Sequence, residues 1–201
     1  MKRKVIIMLL FIAPIIALAQ KEKELQIKIS DIELENYEDK EFGISLKYPK
    51  GWQITKNIKK IGTKVTKDIS IIKKPGYFDH ISLSIIEIKK EEDFLKESKQ
   101  YKDTLIRELT KNKEIGIKHK WITDEEKTTL NANEGLIIGF EYLDTQYIIN
   151  RAFLYFLRKN KKIYVIELYF ELGKDVKSIN PKIKVQIDNL ADLIFKNIKL
   201  L

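Results

Sequence analysis

Residues 42–52 read Phe-Gly-Ile-Ser-Leu-Lys-Tyr-Pro-Lys-Gly-Trp. Phe42, Ile44, Leu46 and Tyr48 alternate with Gly43, Ser45 and Lys47, the period-2 pattern of a strand with one buried face. The alternation stops at Pro49-Lys50-Gly51, where Pro in the second place and Gly in the fourth suit a type I turn opening at Tyr48. Trp52 and Ile54 begin a returning segment, and Trp52 is expected to be largely buried beside the turn.

Downstream, Ile69–Ile72 and Ile81–Ile88 read as two further strands joined by a loop at Pro75-Gly76-Tyr77-Phe78-Asp79. From Glu91 to Lys111 the period changes. Phe94, Tyr101, Leu105 and Leu109 fall at helical spacing, with Leu95 and Ile106 widening the stripe. Glu91, Glu92 and Asp93 stand where the positive end of a helix favours acids, which explains them better than a cation site does. Ile115, Ile117 and Trp121 suggest another strand. Leu136 to Tyr142, Tyr147 to Leu157 and Tyr164 to Leu172 then form three strands. Short links at Asp144-Thr145 and Asn160-Lys161 make them an antiparallel meander. After Gly173, Asn180-Pro181 opens a final helix with Ile183, Ile187, Leu190 and Ile194 on one face. Strands, helix, strands, helix implies an α+β fold with helices packed on an antiparallel sheet.

The composition is that of a folded domain. Of 201 residues 44% are hydrophobic and 10% aromatic, and none is cysteine. Such a chain buries enough apolar surface for a core without staples. Zero cysteine excludes thiol catalysis, Cys-ligated zinc and iron–sulfur clusters. The formal charge of +9 sets 38 basic residues, 34 Lys and only 4 Arg (Arg3, Arg107, Arg151 and Arg158), against 29 acids. Lysines dispersed among acids describe a solvated surface, whereas nucleic-acid sites cluster their charge and favour arginine. No nucleic-acid partner is expected.

Residues 1–19 have the layout of a signal peptide. Lys2, Arg3 and Lys4 precede an uncharged core from Val5 to Ala17, and Ala17-Leu18-Ala19 offers a small-x-small cleavage site. Only 16 uncharged residues separate Lys4 from Lys21, and Pro14 interrupts them. A spanning helix needs about 20. The expected organisation is therefore a signal peptide at 1–19, a charged lead-in at 20–39 read as a partly ordered tether, and one α+β domain at 40–201. The product would be periplasmic or extracellular, touching a membrane only through an uncleaved signal segment.

The stretch from Phe42 to Trp52 resembles the opening of the PsbP-like family, which runs from an aromatic residue through an alternating strand to Tyr-Pro-x-Gly-Trp. Phe42, Tyr48, Pro49, Gly51 and Trp52 match that pattern. A looser match lies in Leu130-Asn-Ala-Asn-Glu-Gly-Leu-Ile-Ile-Gly-Phe-Glu-Tyr142, which looks like the family's turn and strand after the first helix. The family includes extrinsic photosystem II subunits and many non-photosynthetic bacterial exported proteins, and the chain looks like one of the latter. The resemblance implies an α/β/α sandwich, a central antiparallel sheet flanked by helices. The matched residues form a strand–turn–strand corner and carry no chemistry, so no family site is transferred.

Asp79-His80 and His119 offer metal ligands but lack the close pairs of zinc motifs, and neighbours on a strand point to opposite faces. Gly-x-Ser-x-Gly is absent, every glycine is isolated, and no phosphate loop appears. Glu125-Glu126 sits in a polar stretch, Thr123–Thr129, read as a solvated turn; paired glycosidase carboxylates would converge only in three dimensions. Tyr147, Tyr155, Tyr164 and Tyr169 read as sheet-face packing, with a ligand groove as the alternative. No catalytic, cofactor-binding or metal-binding residue is assigned, and no cofactor is expected. The functional expectation is an exported, non-catalytic interaction or assembly-accessory module whose partner is an envelope or secreted protein. The alternative is a small-ligand carrier, or a hydrolase using converging carboxylates.

Overall fold

The computed structural model describes residues 32–61, 64–72, 79–109, 120–143, 148–173 and 179–201. The first strands are β1 (Leu34–Asp39), β2 (Ile44–Pro49), β3 (Gln53–Ile61), β4 (Lys64–Ile72) and β5 (His80–Glu87). A 3-10 turn at Glu91–Asp93 leads into helix α1 (Phe94–Leu109). Then come β6 (Lys120–Leu130), β7 (Asn133–Leu143), β8 (Ile149–Lys159) and β9 (Lys162–Gly173). Helix α2 (Pro181–Lys196) and the short strand β10 (Lys199–Leu200) follow. The signal segment, Tyr77 and its loop neighbours, Ile115, Ile117, His119, the Asp144-Thr145 link and Tyr147 lie outside the described residues.

The architecture is α+β with a central antiparallel sheet. Seven strands form it in the order β3-β4-β5-β9-β8-β7-β6. The chain lays down β3, β4 and β5, reaches the far edge after α1, and returns through the meander β6 to β9 until β9 docks on β5. Turn chemistry supports the return. Asn131 and Asn160 take φ of +50° and +55° in the two-residue links, and asparagine tolerates that left-handed geometry best after glycine.

The two faces of the sheet are covered differently. Leu136, Ile138, Phe140, Leu154, Phe156 and Val165 form one side, which α1 covers through Phe94, Tyr101, Leu105, Ile106 and Leu109. The other side presents Ile69, Ile71, Ile81, Leu83, Tyr155, Ile166 and Leu168. Helix α2 covers part of it with Ala191, Ile194 and Phe195. A second, three-stranded antiparallel sheet, β1-β2-β10, supplies Tyr37, Ile44, Leu46 and Tyr48. The expected helix-flanked sandwich is thus corrected on this face, where helix and small sheet share the work. One helix is about 10 Å across, roughly two strands at 4.8 Å spacing, and cannot close so wide an apolar face alone.

The 42–52 stretch forms the buried strand its alternation requires from Ile44 onward, with Phe42 and Gly43 in the turn before it. Phe42, Ile44, Leu46 and Tyr48 are all buried, each contributing about 1.5–3 kcal/mol of hydrophobic stabilisation. Its corner differs from the expectation. The Trp52 N–H donates to the Pro49 carbonyl at 3.3 Å, so the turn starts one residue later and puts Gly51 third at φ +82°, where type II turns need glycine. The chain after it does not return along β2, because β3 pairs with β4 in the other sheet. Trp52 is half-buried against the core rather than largely buried.

Three further readings are revised. The expected tether ends in strand β1, which pairs with β2 from Leu34↔Pro49 to Asp39↔Ile44 and buries Tyr37. Leu95 does not widen the α1 stripe; it is exposed, and the helix instead seats Phe94, Ser98 and Lys102. Thr123–Thr129 is not a turn but most of edge strand β6, recruited by pairing to β7 and bulged between Trp121 and Glu126.

Candidate functional site

The β1–β2 connection shows how a carboxylate is used in this fold. Asp39 accepts the Phe42 N–H at 2.8 Å, the Tyr37 hydroxyl at 3.0 Å and the Lys56 ammonium at 2.8 Å. Lys56 and then the Phe42 N–H hold its carboxyl below the usual value. One residue thereby shapes the turn and ties the small sheet to β3. Gly43 follows at φ +76°, where a Cβ would stand 3.0 Å from the Tyr164 hydroxyl.

Among the described residues, those singled out from sequence do not converge. Asp79 accepts the Glu171 N–H at 2.9 Å, and His80 stacks on Tyr169 with ring centroids 4.6 Å apart; both stitch β5 to β9. Among the described residues no group of three or more His, Asp or Glu is placed to hold a metal ion. Glu125, at φ +51° in the β6 bulge, bonds the buried Lys102 of α1, with Asp124 at 3.6 Å from the same ammonium. That bond outweighs burial and holds the Glu125 carboxyl below its ordinary value. Lys102 also lies 5.2 Å from the Trp121 ring centroid. Glu125 is therefore a helix-to-edge tie. Tyr155, Tyr164 and Tyr169 are buried, and burial raises the pKa of each. They pack the sheet faces.

Two buried charges went unnoticed in the sequence. Glu167, only 2% exposed, accepts the Tyr101 hydroxyl and, at 2.8 Å, the Tyr169 hydroxyl. Its signal was an acid inside a strand that is apolar on both faces. Arg151, 6% exposed, grips Asp188 of α2 through two bonds of 2.7 Å and also bonds Glu141. Lys184 adds a second cation 2.8 Å from Glu141. Burial pushes Glu141 up, but Lys184 and Arg151 prevail and hold its carboxyl below the ordinary range.

A surface concavity lies elsewhere, at one end of the meander. The β6–β7 and β8–β9 hairpin ends and β10 enclose an open notch of about 330 Å³ lined by Asn131, Asn133, Lys159, Lys199 and Leu200. Asn131 donates to the Ile198 carbonyl at 2.9 Å, and Lys159 donates to the carbonyls of Leu200 and Leu201 at 3.0 and 2.7 Å. Asn133 likewise donates to the Leu130 and Asn131 carbonyls, so the walls of the notch are positioned by main-chain contacts and its lining carries two ammonium charges, Lys159 and Lys199.

These layers define a fold already known among solved structures. The chain is similar to cyanobacterial PsbP from Synechocystis sp. PCC 6803, with a TM-score of 0.53 and 14% identity over 88% of this chain and 96% of that one. The fold is PsbP-like. It also aligns with LpqN, involved in cell envelope biogenesis of Mycobacterium tuberculosis, at a TM-score of 0.45 and 12% identity over 86% and 96% of the two chains. No family model and no curated protein matches the chain. No helix among the described residues is long and apolar enough to cross a membrane.

Proposed function

We propose that the chain is an exported, non-catalytic interaction module that docks on an envelope or secreted protein. The observation carrying this reading is the notch at Asn131, Asn133, Lys159, Lys199 and Leu200. A small-ligand or catalytic site ordinarily encloses its ligand in a largely apolar cleft with a few convergent polar groups. This notch is open and basic, with polar and apolar lining in nearly equal parts, and it presents hairpin ends, the form of a surface that meets another polypeptide. The carboxylates available for chemistry support the same reading, since Glu125, Glu141 and Glu167 each hold one element to another. Export rests on residues 1–19, with cleavage after Ala19.

Photo-crosslinking from position 133 or 199 in the native host tests the module. Reproducible capture of one envelope or secreted protein from both positions supports it. Capture of nothing, together with a co-purifying small molecule or measurable turnover, sinks it in favour of a carrier or hydrolase. N-terminal sequencing of the native protein tests export: Gln20 as first residue is expected, and an intact Met1 overturns cleavage.

A further inference from the structure

The hydrogen bonds that hold the notch together leave a particular set of groups over. The amide nitrogen of Asn131 donates to the Ile198 carbonyl, and that of Asn133 donates to the carbonyls of Leu130 and Asn131. A carbonyl can bond only the nitrogen end of an amide. The side-chain oxygens of Asn131 and Asn133 are therefore left as acceptors, without a partner among the described residues.

Ammonium groups surround these acceptors. Residues 158–162 read Arg-Lys-Asn-Lys-Lys, with no acid. Arg158 lies opposite Ile163 on the α1 face, where Glu91 and Glu134 each stand 3.0 Å from it. Lys159 lies opposite Lys162 in the β8–β9 ladder, so the two project from the other face together. Lys159 reaches the Leu200 and Leu201 carbonyls, which brings it to the strand that carries Lys199. Lys162 and Lys199 are exposed and have no ion-pair partner among the described residues. Glu87 stands opposite Lys162 on β5 but forms no ion pair with it. Like charges directly opposite on a ladder are destabilising, and an incoming carboxylate relieves that repulsion.

The notch thus calls for N–H donors and negative charge in one ligand. A phosphate group offers acceptor oxygens alone and sets them against the two amide oxygens. A sugar ring finds no aromatic residue in the lining to stack on. An extended peptide carries a backbone N–H at every residue except proline, and Asp or Glu side chains add the carboxylates. We propose that the notch takes an extended, acid-rich segment of a polypeptide partner. Its backbone N–H groups meet Asn131 and Asn133, and its carboxylates meet Lys162 and Lys199. This inference rests on the interaction-module reading and names the chemistry of the partner. Charge of this kind steers encounter and fixes register more than it adds affinity.

The test is fluorescence anisotropy of a labelled, capped hexaglutamate peptide with the protein purified from its native host, at low ionic strength. Binding is expected, and Lys162→Gln with Lys199→Gln should weaken it on the order of ten-fold, two exposed ion pairs being lost. Arginine at both positions should preserve it. The same peptide N-methylated along its backbone keeps its charges but loses its donors, and should bind several-fold more weakly. Lys96→Gln with Lys99→Gln, on the exposed side of α1, should leave binding unchanged. If the double variant fails to fold, Lys199→Gln alone reads the same effect at about three-fold. Absence of peptide binding overturns the inference. So does an equal loss in the α1 control, which would mean net charge alone, or equal binding of the N-methylated peptide. Lysine-dependent binding to polygalacturonate or to phosphatidylglycerol vesicles, without peptide binding, would assign the notch to an acidic glycan or a lipid surface and overturn it as well. Crosslinking from position 133 reads the module separately: capture of a protein through a segment without acids leaves the module standing and sinks this inference alone.

Discussion

The two faces of the central sheet solve the same problem with charges in opposite places. On the α2 side the centre is apolar, with Tyr155 stacked on Phe195 at 4.0 Å, and the charged network of Arg151, Glu141, Lys184 and Asp188 anchors the first half of the helix. On the α1 side charge sits inside the packing. Glu167 is held by two tyrosine hydroxyls beneath the helix, and Lys102 occupies the helix's own buried seam. An ionic tie beside a partly wet helix keeps part of its hydration, whereas an interior carboxylate depends wholly on its partners.

The largest expected effect comes from the α2 side. Arg151→Ala removes the cation bridging β7, β8 and α2 and should destabilise the fold by about 3 kcal/mol, the lower end for breaking a buried ion pair because Asp188 can rehydrate. Urea unfolding measures it. A loss under about 1 kcal/mol would show that apolar packing alone holds α2. Glu167→Leu should cost about 2–3 kcal/mol by leaving the Tyr101 and Tyr169 hydroxyls without their acceptor, and Glu167→Gln about 1 kcal/mol. If the leucine variant proved as stable as the parent, the polar seam under α1 would be incidental.

Acid titration separates the faces further. The Glu141 carboxyl is depressed below its ordinary 4.5 in the folded chain, so its stabilising contribution is present above about 4.5 and is lost as pH falls through the lower folded value. Unfolding free energy should therefore drop on acidification below about pH 4.5, and the drop should be shallower in Glu141→Gln. Parallel acid limbs in the two proteins would contradict the assignment. The smallest effect belongs to Val185, 57% exposed on α2; Val185→Ser should change stability by less than about 0.5 kcal/mol. A loss above about 1 kcal/mol would reveal a contact on the outer face of that helix.

Local periodicity made most of the elements legible. Ile44–Tyr48, Leu136–Tyr142 and Tyr164–Leu172 became strands, and Phe94–Leu109 and Pro181–Lys196 became helices, because side-chain spacing along one segment reports which of its faces meets the core. Even the final helix start was readable, since Asn180 caps it by accepting the Lys182 N–H at 2.9 Å. Edge strand β6 was not, because Thr123–Thr129 is polar on both faces and owes its conformation to pairing with β7 rather than to its own pattern.

The candidate site was less legible than the fold. Asn131 and Asn133 could be read as turn residues, but the notch exists only because β10 brings Lys199 and Leu200 to two hairpin ends far away in the sequence. The same holds for Arg151 with Asp188 and for Tyr101 with Glu167, contacts between elements that local spacing does not encode. The sequence by itself determined most of the strands, both helices and which side of each is apolar, β1 and β6 being the exceptions. Which sheet receives β2, where β9 docks and which opposite charges meet were decided only by tertiary packing, because those choices minimise exposed apolar area and unpaired buried charge over the whole molecule.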